Sequence, residues 1–238
     1  MRLFAFVLIW MAAPAAAVTC ANVDYDGNSY TTCSVDARTE DLRLFLRDED
    51  GAVLGSFSGI EATLDEQVLA FGMNAGMYHA DRAPVGHYVE DGVEEMRVIP
   101  NAGPGNFGLL PNGVFCINDQ SAQVIETLRF LDEKPQCRDA TQSGPMLVID
   151  GALHPRFLAN STSRFLRNGV GATANGARAV FVISNNAVSF YDFGRFFRDY
   201  LKLPNALYFD GKVSRLYARD MGRSDFGFQL GPMVGVVE

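Results

Sequence analysis

The chain carries few of the residues that build metal sites. It has 3 histidines and 4 cysteines in 238 residues. His79, His87 and His154 share no ligand spacing, and no C-x-x-C pair occurs. A structural or catalytic metal needs closely spaced ligands, so neither a metal nor another cofactor is expected. Positive charge is scarce as well. Lys and Arg total 20 against 28 Asp and Glu, a net charge of −8. Nucleic-acid partners select a basic face and anionic membrane surfaces select basic clusters, so neither partner is expected. The glycine motifs that cradle nucleotides are missing too. Gly169-Val170-Gly171 is too short for a dinucleotide fingerprint, and no G-x-x-x-x-G-K-[ST] occurs. Gln142-Ser143-Gly144-Pro145 offers a serine, but not in a G-x-S-x-G elbow, and no histidine–acid set completes a triad. No run is long and apolar enough for a membrane span.

Export signals and apolar residues are present. Met1-Arg2, the apolar run Leu3–Met11 and the small-x-small site at Ala15 and Ala17 read as a signal peptide over residues 1–17. The protein is therefore expected to be periplasmic or secreted, with one domain over 18–238. Four cysteines behind an export signal favour disulfides. The sequence-local pairing, Cys20–Cys33 and Cys116–Cys137, would close two short loops. Hydrophobic residues make up 48% and charged residues 20%, enough apolar surface for a substantial core.

Val68–Phe71, Met146–Ile149, Ala179–Ile183 and Ala206–Phe209 are near-continuous apolar runs, the pattern of central strands buried on both faces. Phe193, Phe196, Phe197, Tyr200 and Leu201 recur at helical spacing behind Ser189, and Pro204 ends that helix. Run, helix and run over 179–209 predict a crossover unit. Asp50-Gly51, Asp91-Gly92, Asn112-Gly113 and Asp150-Gly151 signal hairpins. Two of these would pair Leu42–Arg47 with Ala52–Phe57, and Phe107–Leu110 with Val114–Ile117. Ser34–Leu46 reads either as strand or as partial helix. The fold class expected is α+β, a single domain with a mixed β-sheet flanked by a few helices.

Three apolar runs stop at a polar side chain set among glycines: Asn74 in 69–79, Gln142 in 140–149 and Asp210 in 205–214. A stiff strand that ends in a pliable loop is a common way to place functional groups. Asp210-Gly211 could be only a turn, with Ser214 four residues on. Asn74 could mark a bulge, although an amide both donates to and accepts from a sugar or phosphate. His79 and Asp81 could form an acid–base pair or lie exposed. Arg167 beside Asn168 and glycine-rich backbone suits a phosphate or carboxylate.

Five segments, in order, resemble the phosphodiester glycosidase family, most of all its exported bacterial members. They are Asn-Ala-Gly-Met-Tyr-His (74–79), Gly-Asn-Phe-Gly-Leu-Leu-Pro-Asn-Gly-Val-Phe (105–115), Ala-Thr-Gln-Ser-Gly-Pro-Met-Leu (140–147), Arg-Asn-Gly-Val-Gly (167–171) and Asn-Ala-Leu-Tyr-Phe-Asp-Gly-Lys-Val-Ser (205–214). Where family members tend to carry Asp-Gly-Gly-Gly-Ser, this chain has Asp210-Gly211-Lys212-Val213-Ser214. The resemblance implies a hydrolase that cleaves a sugar–phosphodiester linkage in an envelope or extracellular glycan. It implies catalytic roles for Asp210, Asn74 and His79. It implies a substrate-binding set of Arg167, Gln142, Gly144, Asn168, Gly211 and Ser214, with Arg167 on the phosphate. The alternative is a non-catalytic periplasmic protein that binds a phosphosugar or envelope glycan through the same residues.

Overall fold

The computed structural model describes residues 18–211 and 213–238. The signal-peptide segment 1–17 and Lys212 lie outside the described residues. In chain order the first strands are β1 (Thr19–Tyr25), β2 (Asn28–Asp36), β3 (Asp41–Phe45), β4 (Leu69–Asn74), β5 (Tyr88–Glu90), β6 (Val93–Met96), β7 (Gly113–Asn118), β8 (Ser121–Glu126) and β9 (Asp139–Ser143). Then follow β10 (Met146–Ile149), β11 (Ala152–Leu153), β12 (Asn168–Ala172), β13 (Arg178–Ser184), β14 (Asn205–Asp210), β15 (Leu216–Ala218), β16 (Arg223–Ser224) and β17 (Met233–Val237). Three short helices, α1 (Phe57–Glu61), α2 (Thr127–Glu133) and α3 (Phe190–Arg195), interrupt them. The α+β expectation thus takes a strand-dominated form.

The strands make three sheets, not one, in the orders β1-β2-β13-β12-β14-β10-β11, β16-β15-β4-β17-β3 and β6-β5-β9-β7-β8. The expectation of a mixed sheet is corrected here. Every strand pairing among the described residues is antiparallel. The near-continuous apolar runs are antiparallel strands covered on both faces, as expected for central strands. One face of the first sheet packs on the other two sheets through Phe71, Phe115, Phe181 and Phe209. The other face lies under α3, with Val182, Phe193, Phe197 and Tyr208 between.

The helix behind Ser189 forms as its pattern requires. Ser189 caps α3 in a reciprocal box with Asp192, and a π-turn at Phe196–Tyr200 carries the apolar face onward. Because β13 and β14 each pair antiparallel with β12, they run in the same direction. The segment between them is therefore a crossover, as expected.

Asp91-Gly92 and Asp150-Gly151 turn their hairpins with positive φ at both residues (49° and 76°; 47° and 82°), the geometry that two-residue hairpins favour. Of the two readings open for Ser34–Leu46, the strand is the one formed: the stretch contains no helix and falls in β2, β3 and the turn between them. β2 is claimed by β13, and β3 by β17, partners far away in sequence. Phe107–Leu110 is not a strand, and β7 pairs with β8 and β9 instead. Asn112, expected in a hairpin turn, is buried, donating to Phe107 O at 3.0 Å and accepting from Thr127 Oγ1 at 2.7 Å.

Both sequence-local disulfides are present, Cys20–Cys33 across the β1–β2 ladder and Cys116–Cys137 from β7 to the segment after α2. They fit an oxidising compartment. No helix among the described residues is long and apolar enough to cross a membrane.

The third sheet holds a half-buried acid. Glu90 accepts a hydrogen bond from the Tyr88 hydroxyl at 2.6 Å, and burial above all pushes its pKa up to about 7, with Asp139 and Glu95 adding repulsion. Below the ordinary Glu pKa the side chain is neutral in both the folded and unfolded chains. As pH rises toward 7 the unfolded chain ionises first, so folded stability declines across that window. The Glu90→Gln variant should show a flatter melting temperature between pH 4.5 and 7.5. The difference from wild type should grow with pH to at most about 3 kcal/mol. Parallel melting curves against pH for the two proteins would refute this.

Candidate active site

The first two sheets meet at the ends of β4, β12 and β14, and the polar residues singled out in the sequence converge there. Asn168 opens β12 in register with Asp210, the last residue of β14, and the register shifts between Asn168 and Gly169. Such a bulge re-aims side chains near a strand end. Asn168 is fully buried. Its Nδ2 donates to Asn74 O and to Asn74 Oδ1, both at 2.9 Å, and its Oδ1 accepts from Asp210 N at 3.1 Å. Asn74 is equally buried, and its Oδ1 also accepts from Arg215 N at 2.9 Å. The two asparagines thus clamp both ends of the segment by which the chain leaves the first sheet at Asp210 and enters the second at β15. They touch no cleft surface and act by positioning.

Two clefts flank this segment, and Gly211 and Val213 line both. The first, about 530 Å³, is walled by Tyr78, Phe107, Phe165, Tyr208 and Asp210. Asp210 accepts from Gly211 N at 2.5 Å. Along β14, Tyr208 and Asp210 line this cleft while Phe209 enters the core against Phe115, the alternation a strand imposes. The second cleft, about 590 Å³, is lined by Ser184, Asn185, Ser214, Arg215, Asp225 and two exposed phenylalanines. The Ser214 hydroxyl lies 2.9 Å from Asp210 O, to which it donates, and 3.4 Å from Asn168 Oδ1.

Arg167 lies behind the first cleft. It is 1% exposed, with Nε donating to Val188 O at 2.9 Å and Nη2 to Ser163 O at 3.1 Å. Its guanidinium stacks on Phe190, 3.6 Å from the ring centroid, a contact worth about 2 kcal/mol when desolvated. Burial lowers its pKa. Its Nη1 and the Tyr208 hydroxyl are both buried without a well-formed hydrogen bond, although the two side chains interact. Burial raises the Tyr208 pKa, and the charge of Arg167 works against that rise. Arg167 reaches the cleft through Tyr208 rather than at the surface.

The other expected residues are dispersed. Gln142 is buried with its amide fully used. Its Oε1 accepts from His87 N at 3.0 Å and Ile99 N at 2.9 Å, and its Nε2 donates to Ile99 O at 2.7 Å and Thr127 Oγ1 at 3.2 Å. It ties the 87–99 stretch to β9. Ser143 donates to Phe209 O at 2.9 Å from a buried position and presents no nucleophile. Gly144 lies against Asn112 and the backbone of Phe107, beneath the wall of the first cleft. His79 is exposed on the turn where His79 N donates to Ala83 O. Asp81, its expected partner, accepts from Ala83 N at 3.1 Å. Tyr78, Tyr208 and Arg215 are site residues that the sequence reading did not single out. Tyr78 has its pKa raised by burial and then by Asp210, which places its phenol within the field of that carboxylate.

The site thus sets a carboxylate in the wall of an open cleft of a strand-dominated fold. The chain belongs to the phosphodiester glycosidase family, whose model matches residues 67–228. It is 33% identical over 187 residues to the uncharacterized protein YigE of Escherichia coli (strain K12), covering 78% of this chain and 73% of that protein. In fold it is similar to a hypothetical protein from Synechocystis, with TM-score 0.62 and 13% identity, over 92% of this chain. It spans 61% of that Synechocystis chain. It is also similar to the zebrafish N-acetylglucosamine-1-phosphodiester alpha-N-acetylglucosaminidase catalytic domain auto-inhibited by its pro-peptide. There the TM-score is 0.62 at 12% identity, covering 92% of this chain and 81% of that one. At these identities the solved structures establish the fold alone.

Proposed function

We propose that the protein is an exported hydrolase that cleaves the bond between a sugar anomeric carbon and a phosphodiester oxygen in an envelope or extracellular glycan. The observation that carries this reading is Asp210, whose carboxylate lines the first cleft and whose backbone is anchored by the Asn168–Asn74 pair. A phosphate monoester is a good leaving group, so the reaction needs little protonation of the departing oxygen. It needs stabilisation of an oxocarbenium-like transition state and a directed water. Asp210 supplies both as a negative charge beside the ring and as the base that takes a proton from water. The phosphate departs with the bonding electrons, the water oxygen joins the anomeric carbon, and the products are a free sugar and a phosphate monoester.

Tyr208, backed by the Arg167 cation, supports the cleft wall from beneath Gly211. Asn74, Asn168, Gln142 and Gly144 hold the walls. Ser214 and the Gly211 backbone face substrate at the rim, and His79 serves as a proton donor from its exposed turn. The scheme uses no metal. The zebrafish relative named above acts, by its name, on an N-acetylglucosamine-1-phosphodiester, so N-acetylhexosamine phosphodiesters lead the substrate series. The mature protein should release free N-acetylhexosamine and a phosphate monoester from such compounds. Saturable binding across the series with no sugar released would show a binding protein instead.

A further inference from the structure

Arg215 lines the second cleft in the position after Ser214, and it interacts electrostatically with Tyr78, which walls the first. It is 8% exposed, yet its guanidinium makes no hydrogen bond or ion pair among the described residues. The carboxylate that acts on it, Asp225, does not pair with it. Asp225 is committed to Arg223 through contacts of 2.9 and 3.0 Å and accepts from Leu216 N at 3.0 Å. Tyr78 donates its hydroxyl to Gln229 O at 3.2 Å. An arginine keeps its charge even when buried, and a buried charge without a partner is costly. The backbone makes room for it. A Cβ on Gly227 would lie 2.5 Å from Arg215 Nη2, and Gly227 has φ 153°, where side chains are rarely accommodated. Beside that glycine, Phe226 and Phe228 are 96% and 85% exposed on the rim of the second cleft. Exposed rings on a polar cleft offer flat apolar faces to a ligand.

We propose that Arg215 holds the phosphate of the substrate at the ridge between the clefts, with the sugar beside Asp210 in the first cleft and the esterified group, a ring-bearing one, running into the second between Phe226 and Phe228. This rests on the hydrolase reading above and assigns each half of the substrate a place. Arg167, whose guanidinium is closed off behind Tyr208, is left as a positioning residue.

Binding and turnover are tested separately. Inorganic phosphate is titrated by calorimetry into the wild-type, Arg215→Gln and Gly227→Ala proteins. Wild type should bind it saturably, and both variants should bind at least tenfold more weakly, because one loses the cation and the other displaces it. Thermal melting serves as the control, and Arg215→Gln should melt at or above the wild-type temperature, since it removes an unpaired buried charge. Equal phosphate affinity in wild type and Arg215→Gln overturns the proposal, as does a wild type that binds neither phosphate nor a methyl phosphodiester of the sugar. Phe228→Ser should raise KM for a phenyl or glycosyl phosphodiester and leave KM for the methyl ester unchanged. An equal effect on both overturns the placement of the ester group. Arg215-dependent phosphate binding without sugar release would sustain the anion site while defeating the hydrolase reading.

Discussion

Asp210→Asn should lower kcat by about a thousandfold, within the 10²–10⁴ range typical of positioned acid–base groups, with KM little changed. The substitution is nearly isosteric. An asparagine oxygen can still accept from Gly211 N, and the backbone bond from position 210 to Asn168 Oδ1 does not involve the side chain. The variant therefore removes a charge and a base while leaving the scaffold in place. Loss confined to kcat is the mark of an interaction made in the transition state. Melting temperature and phosphate affinity should match wild type. Turnover within threefold of wild type would remove Asp210 from the chemistry, and the wall residues would then have to supply the base.

Asn168→Ala should lose about 3 kcal/mol of stability or more, together with activity. The side chain is fully buried and serves Asn74 O, Asn74 Oδ1 and Asp210 N at once. Its removal leaves several buried groups unpaired, each costing about 1–3 kcal/mol, and such networks lose more than their parts suggest. For a chain of this size each kcal/mol shifts the melting point by about 2–4 °C, so a drop of about 6–12 °C is expected. Activity should fall in the residual folded protein, because Asp210 loses its backbone anchor. A melting point within about 2 °C of wild type would mean that the clamp between the sheets is carried elsewhere.

Much of this fold is legible in the sequence where the signal is local. The runs at 69, 146, 179 and 206 become strands because apolar residues in those stretches are covered on both faces, and Ser189 caps its helix within three residues. What escaped depends on distant partners. Ser34–Leu46 carries an ambiguous pattern, and it is decided by β13 and β17, more than a hundred residues away. Antiparallel and parallel central strands look alike in sequence once helices and sheets cover both faces. The site divides in the same way. Asp210 and Asn74 could be found because glycine follows a buried run. The same signal marked Gln142, whose four hydrogen bonds go to structural partners that no spacing reveals. Arg167 beside glycine-rich backbone suits a phosphate, and nothing local in sequence reveals Phe190, the ring that covers its guanidinium. Arg215 offered only its type, an arginine beside Ser214 in an acidic chain.

The bonds from Asn168 to Asp210 N and from Asn74 to Arg215 N have a consequence for how such a protein diversifies. They fasten the chain on both sides of Gly211, Val213 and Ser214, so these residues lie on a short replaceable bridge between two fixed abutments. Exchanging residues there reshapes the rim that both clefts share without loosening either sheet. Relatives that differ in this bridge can diverge in what they accept while keeping the same carboxylate in the same place.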